Sequence, residues 1–435
     1  MQRDVRDAAP TVGADPYASA SYRYYALALL TTAYVLNFLD RQILAILQEP
    51  IKRELHLSDS QLGLLTGFSF ALFYVLLGLP IARWADRGVR RNIISLAVGV
   101  WSAMTTLCGL AQNYAQLLLA RVGVGVGEAG GSPPAYSMIS DIFPQQDRAT
   151  AYGVYGMGVN LGILAGLLTG GWLNEYFGWR VAFLAAGVPG VLLALILRAT
   201  LREPLRRSLQ VASAADRPPP VADVLKLLWA RRTFRHMVWG TSLLSFAAYG
   251  MFNWLPPFLV RSHGLTSGAI GTSLALILGV GGAAATLAGG YLSDRLGRRD
   301  ARWYSWVTAI AFAISVPSMI CAFLLSDSTL VLLCLVIPGS VAQICVPPLM
   351  AVTHNLVDNR MRALSSAIVL FILNALGLGL GPLSVGILSD ALLASAGSDS
   401  LRQALLILVP LATLWGAGHF LFAARHIRND LRAPA

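Results

Sequence analysis

Apolar runs of about 20 residues, long enough to cross a bilayer as a helix, recur from one end of this 435-residue chain to the other. Nothing else in the sequence constrains the fold as strongly. The composition agrees: 56% of residues are hydrophobic and 13% are charged, where soluble domains carry about 25% charged residues. The expected fold class is an all-α polytopic membrane protein with twelve transmembrane helices in two six-helix bundles.

The twelve spans are expected to begin near Tyr24, Leu62, Asn92, Tyr114, Ala149 and Val181, then near Phe234, Ala269, Trp303, Leu330, Ala363 and Ala404. Between the sixth and seventh lies the one long connection. It carries Arg202, Arg206, Arg207, Arg217, Arg231 and Arg232, with Pro218-Pro219-Pro220. Inside it, Val221, Val224, Leu225, Leu228 and Trp229 fall at i, i+3, i+4, i+7 and i+8. That spacing predicts an amphipathic helix lying at the membrane surface and bracing the halves. The expected organisation is a disordered tail (1–20), a first bundle (21–200), a linker with the amphipathic helix (201–233), a second bundle (234–426) and a short tail (427–435).

The net charge of +11 is explained by topology rather than by nucleic acid. Of the 33 Lys and Arg, 26 fall on the side that holds both termini, five on the opposite side and two inside spans. This is the positive-inside bias. It predicts cytoplasmic termini, and an inner-membrane location for an Arg-rich, bacterial-looking chain. Cys108, Cys321, Cys334 and Cys345 form no C-x-x-C pair, so neither a metal site nor a disulfide framework is expected. The polar first 20 residues contain no apolar core of a signal peptide.

The two halves repeat. Asp86-Arg87 after span two matches Asp294-Arg295 after span eight at an offset of 208. Pro133-Pro134, Arg148-Ala149 and Asn160 recur as Pro347-Pro348, Arg362-Ala363 and Asn374 at an offset of 214. Parallel repeats of this kind place a substrate site near mid-membrane between the copies.

Four charges fall inside spans: Asp40 and Arg41 in span one, Arg121 and Glu128 in span four. Unpaired and facing lipid, they would together cost on the order of 10 kcal/mol, so they must face protein or water and pair with one another. Arg121 and Glu128 are seven residues apart, on one face of a helix. At the repeat offset they map to Leu335 and Ala342, and the second half offers only Tyr249, Asn253, Gln343 and Asn374. One wall of the cavity is therefore expected to be charged and the other largely apolar, which suits an amphiphile with a charged head. A guanidinium forks onto carboxylate or phosphate, so Arg121 is expected to bind the head group. Burial favours the neutral form of a carboxylate and a neighbouring arginine favours its charged form. Substrate that competes for Arg121 would then free Glu128 to take a proton. Asp40 is a second proton-coupling carboxylate, and Arg41 is its partner or a second anion contact. Tyr249, Asn253 and Asn374 are candidate substrate contacts on the other wall.

The stretch Gly289–Asp300, GGYLSDRLGRRD, resembles the signature loop of the major facilitator superfamily; the first copy, ARWADRGVRRN, departs from it at Ala82 and Gly88. NFLDRQILA, RVGVGVGEAGGSPPAYSMISDIFP and WLPPFLV resemble the spinster family. That resemblance implies two rocking bundles, export of lysophospholipids or sphingosine phosphates, and proton-linked carboxylates at Asp40 and Glu128. It also implies cytoplasmic gate residues at Asp86, Arg87, Asp294 and Arg295, with Arg148 alongside. Organic-anion symporters of the same superfamily share the span-one D-R and the span-four arginine, so an organic anion or drug-like molecule is the second expectation.

A receptor would need a large extramembrane domain, and no loop is long enough. An enzyme would need a Ser-His-Asp set, a metal cluster or a nucleotide loop. Gly125, Gly127 and Gly130 fit G-x-G-x-x-G, but no strand and soluble βαβ unit surround them, and no G-x-x-x-x-G-K-[ST] occurs. No enzymatic activity is expected, and no cofactor beyond a proton as coupling ion. The expected partners are a small amphiphilic lipid substrate and membrane lipids, with no nucleic acid, acting on a monomer.

Overall fold

The computed structural model describes residues 17–204, 220–342, 344–358 and 361–432; Leu79, Ala82, Asp86, Asp294 and Ala363 are described by backbone alone. No strand occurs among the described residues. Span one is α1 (Ala20–Leu55). Span two is α2 (Asp59–Gly63) and α3 (Ser69–Arg87), joined by a π turn at Leu64–Phe68. Span three is α4 (Arg90–Leu110), and span four is α5 (Tyr114–Glu128) with α6 (Ser132–Ile142). Spans five and six are α7 (Arg148–Phe177) and α8 (Trp179–Thr200). The surface helix α9 (Val221–Ala230) precedes span seven, α10 (Arg232–His263). Span eight is α11 (Ser267–Leu274) and α12 (Gly282–Gly297) around a π turn at Ala275–Gly281. Span nine is α13 (Trp303–Leu324), and span ten is α14 (Ser328–Val341) with α15 (Val346–Asn355). Span eleven is α16 (Arg362–Leu373) and α17 (Gly381–Ala396) around a π turn at Asn374–Leu380. Span twelve is α18 (Ser400–Arg432). Each begins within four residues of its expected start.

Nine helical stretches among the described residues are long and apolar enough to cross a membrane. The last of them, Leu364–Leu431, is two spans, because Gly397 at φ 54° turns the chain between α17 and α18. The spans outside this set are α1, whose middle holds Asp40 and Arg41, and span four, which breaks after Glu128. The charged spans are thus the two outside this set. Span four restarts at α6 with Pro133-Pro134 in its first turn, and span ten restarts at α15 with Pro347-Pro348 in the same place. Proline suits a first helical turn, where an N–H would lack an intrahelical acceptor anyway.

Apolar packing divides by depth. One core, including Ile43, Leu47, Leu65, Trp254, Phe258 and Leu274, joins both halves on the side opposite the termini. On the terminal side one core centres on each half, around Trp101 and Met138 in the first, which Leu378 of span eleven joins, and around Phe234 and Phe420 in the second. There α12 packs on α13, α14 and α15, and α16 packs on α15, α10 and α9. The halves therefore meet on the opposite side and part toward the basic side.

Several boundaries differ from expectation. Tyr17, expected in a disordered tail, is buried; its ring centroid lies 5.0 Å from that of Tyr22, the two rings tilted, and its hydroxyl donates to Arg202 O. Span twelve runs on to Arg432, past the boundary expected at 426, because Asp430 accepts from Thr233 N at 2.7 Å and Arg428 Nη2 bonds Asp300 at 2.6 Å. In α9, Val224 and Leu228 are buried in the core of the second half while Val221, Leu225 and Trp229 stay exposed. The brace therefore belongs to the second bundle. Residues 1–16, with Arg206, Arg207, Arg217, Pro218 and Pro219 of the linker, lie outside the described residues.

Candidate functional site

A cavity of about 390 Å³ lies between the halves. From the first half it is lined by Arg41, Gln42, Thr66, Phe70 and Arg121 among others, and from the second by Ser245, Tyr249, Phe252, Asn253 and Thr286. Both arginines sit on one wall. The opposite wall carries neutral polar groups set among Ala248, Leu278, Ala342 and Val346.

The four intramembrane charges form two crossed pairs. Arg121 Nη1 lies 3.1 Å from Asp40 Oδ1. Arg41 grips Glu128 through both Nε and Nη2, each 2.7 Å from Oε2. Neighbours on α1 thus reach different residues of α5, as side chains about 100° apart on a helix do. The expected direct exchange between Arg121 and Glu128 is not the contact made: each arginine holds the carboxylate of the other helix. Asp40 is further held by the hydroxyl of Thr105 on α4, a partner the sequence did not advertise.

The carboxylates stand behind the arginines. Asp40 and Glu128 are buried and do not line the cavity. Arg41 does not snorkel; its guanidinium lies 4.9 Å from the Phe38 and Phe70 ring centroids and 5.0 Å from Tyr74. Aromatic faces attract a cation and fix the plane in which it can bind. Arg121 Nε and Glu128 Oε1 have no hydrogen-bond partner among the described residues. An unused donor and an unused acceptor at the charged wall are rare in a buried site, and they leave room for exchange of partners.

Of the expected contacts on the second wall, Tyr249 and Asn253 line the cavity. Asn374 does not; its amide donates to Leu370 O at 2.9 Å at the head of the span-eleven π turn. Gln343 lies outside the described residues. The glycines of the span-four run make room for neighbouring helices. A Cβ on Gly125 would lie 2.8 Å from Phe70 O, and one on Gly127 would lie 2.6 Å from Trp101 N.

The side opposite the termini is closed by ions. Arg261 of α10 forks onto Asp59 at 2.8 and 2.9 Å and reaches Glu49 at 2.7 Å. Lys52 also bonds Asp59, at 2.5 Å. The sequence held a signal for this cluster. The five cations that violate the charge bias, Lys52, Arg53, Arg180, Arg261 and Arg402, are all in ion pairs. A cation on the disfavoured side is there for a partner.

On the basic side, the contacts of the residues expected as a gate are described only in part. The side chains of Asp86 and Asp294 lie outside the described residues. Arg87 is exposed, Arg295 donates to Tyr291 at 3.0 Å and Arg148 to Phe143 O at 3.1 Å, each within its own half. Arg90, beside the first signature loop, is buried. It bonds Asp141 at 2.5 Å and Glu203 at 2.8 Å and ties α4, α6 and the start of the linker together.

The Major Facilitator Superfamily model matches residues 30–382. An "MFS-type efflux pump" of Mycolicibacterium smegmatis is 35% identical over 410 residues, covering 93% of this chain and 94% of that protein. A "Probable L-galactonate transporter" of Escherichia coli is 30% identical over 280 residues, covering 62% of this chain and 61% of that one. Among solved structures, a bacterial homologue of the human lysosomal transporter spinster, in an inward-facing and unoccupied conformation, superposes with a TM-score of 0.86 at 33% identity, over 96% of this chain and 100% of that one. The twelve-span repeat, the central cavity and these matches agree: this chain is a spinster-like transporter, not an enzyme, and it belongs to the Major Facilitator Superfamily.

Proposed function

We propose that the protein is a proton-coupled secondary transporter that moves an amphiphile with an anionic or zwitterionic head group by alternating access, with its basic side and both termini in the cytoplasm. The observation that carries this reading is the layering of the charged wall, with arginines facing the cavity and carboxylates behind them. A head group that takes Arg121 releases Asp40, and one that takes Arg41 releases Glu128. A buried carboxylate that loses its arginine favours protonation, so substrate and proton enter the same state. Phe38, Phe70, Val159 and Ile163, which also line the cavity, suit an acyl chain.

The test uses proteoliposomes, a panel of single-chain phospholipids and short organic anions, and an imposed pH gradient. Gradient-driven movement of a single-chain lipid is expected, with Arg121→Ala and Glu128→Gln each slowing it at least roughly ten-fold, the scale of one lost charge-assisted contact. Wild-type rates in both variants would sink the scheme. Movement of short anions alone would support a second reading, an organic-anion carrier, which the named substrate of the Escherichia coli relative and the polar groups Ser245, Asn253 and Thr286 favour.

A further inference from the structure

The closed side repeats itself about the internal twofold. Ser58 caps the start of span two by accepting from Gln61 N at 3.2 Å, and Thr266, at the offset of 208, caps span eight by accepting from Ala269 N. Each start also receives a carboxylate from the other half. Asp390 of α17 accepts from Asp59 N at 3.0 Å and Ser60 N at 2.7 Å. Glu175 of α7 accepts from Gly268 N at 2.7 Å, and Gly268 is the repeat partner of Ser60.

The backbones beneath these contacts are paired in the same way. Gly63 has no room for a side chain against Pro382 O, nor its partner Gly271 against Leu167 O. Gly386 abuts Asp59 O as Gly171 abuts Ser267 O. Leu167, Gly171 and Glu175 match Pro382, Gly386 and Asp390 at an offset of 215, not the 214 that relates Asn160 to Asn374. The extra residue is the π turn Asn374–Leu380, which α7 lacks; a π bulge is a one-residue insertion in a helix. The insertion brings Asp390 into register with Glu175.

We propose that Asp390 and Glu175 are twin latches: positioning residues that hold the closed side of the transporter by capping, across the half-to-half boundary, the first turns of spans two and eight. Carboxylates suit this task because a helix start offers free N–H groups and a partial positive charge. Opening strips both starts of these acceptors at once and leaves only Ser58 and Thr266, which move with their own halves. The two latches therefore break as one. The inference rests on alternating access but not on any substrate.

Hydrogen–deuterium exchange of the full-length protein in nanodiscs tests it without transport, so failure of the substrate reading leaves the result intact. Asp390→Ala and Glu175→Ala should each speed exchange roughly ten-fold at both 58–63 and 266–271, the scale of one lost charge-assisted hydrogen bond. The Arg90–Asp141 region should stay at wild-type rates. Faster exchange only at the start whose own acceptor was removed would make each residue a local cap and overturn the proposal, as would no change at either start. Asp390→Asn and Glu175→Gln keep size and one acceptor. If either alanine variant fails to purify as a single species, they must show a smaller rise at both starts for the proposal to stand.

Discussion

At the residue scale, the weight of the site falls on which partner each charge takes. Asp40 and Arg121 are both buried and joined by a single contact at 3.1 Å. Removing one member of such a pair strands the other and costs about 3–5 kcal/mol, while removing both costs less. Asp40→Asn should therefore lower the thermal unfolding temperature more than the double variant Asp40→Asn/Arg121→Gln does, as measured in detergent with all four members of the cycle. The four charges were legible because intramembrane charges are costly. The crossed pairing was not, since residues 40 and 41 and residues 121 and 128 can be joined in either order from spacing alone. Thr105 was invisible for a plainer reason: a threonine in an apolar span also hydrogen-bonds its own helix, as this one does to Trp101 O.

At the element scale, span five shows how one motif divides. Gly158, Gly162, Gly166 and Gly170 recur every fourth residue, a spacing that lets helix backbones approach closely. They pack on α1 within their own half, where Val35 O lies 2.5 Å from a Cβ on Gly162. Among the glycines of α7, Gly171 is the one that packs on the other half, against Ser267 O. Gly153 and Gly156 have open space. Gly162→Ala should thus destabilise by about 1–3 kcal/mol through overpacking. Gly156→Ala should be neutral or stabilising by up to about 1 kcal/mol, from helix propensity. Thermal unfolding separates the two. The loop before α13 makes a second case. Asp300 is held down to about 2, first by the Arg302 N–H and then by the Arg428 and Arg302 side chains. A depressed carboxylate stabilises fully above its ordinary value near 4 and loses that contribution as pH falls toward its folded value. The stability gap between wild type and Asp300→Asn should therefore be flat from about pH 5 to 8 and close below about pH 4. Span starts were legible to within a turn. The π turns were not, because a one-residue bulge leaves hydropathy unchanged and shows only as a slip in the repeat offset.

At the scale of the whole molecule, the sequence reported two bundles and a cavity charged on one wall, since both follow from repeats and from charges placed where lipid forbids them. It did not report which side is shut. Asp59, Arg261, Asp390 and Glu175 stand at span ends, where charge is ordinary, and only assembly reveals that they bridge the halves. The crossed pairs have one more consequence, and it is electrical. Two acids and two bases at mid-membrane sum to zero, so the empty, fully ionised carrier drags no net charge from this cluster through the membrane field. A membrane potential contributes about 2.3 kcal/mol per unit charge per 100 mV. It would act only on what is loaded, the proton and the head group. On a solid-supported membrane, the charge displaced per substrate molecule should equal the charge of the substrate plus that of the co-moving protons. Asp40→Asn, which leaves the cluster at +1, should make the empty return step itself respond to voltage.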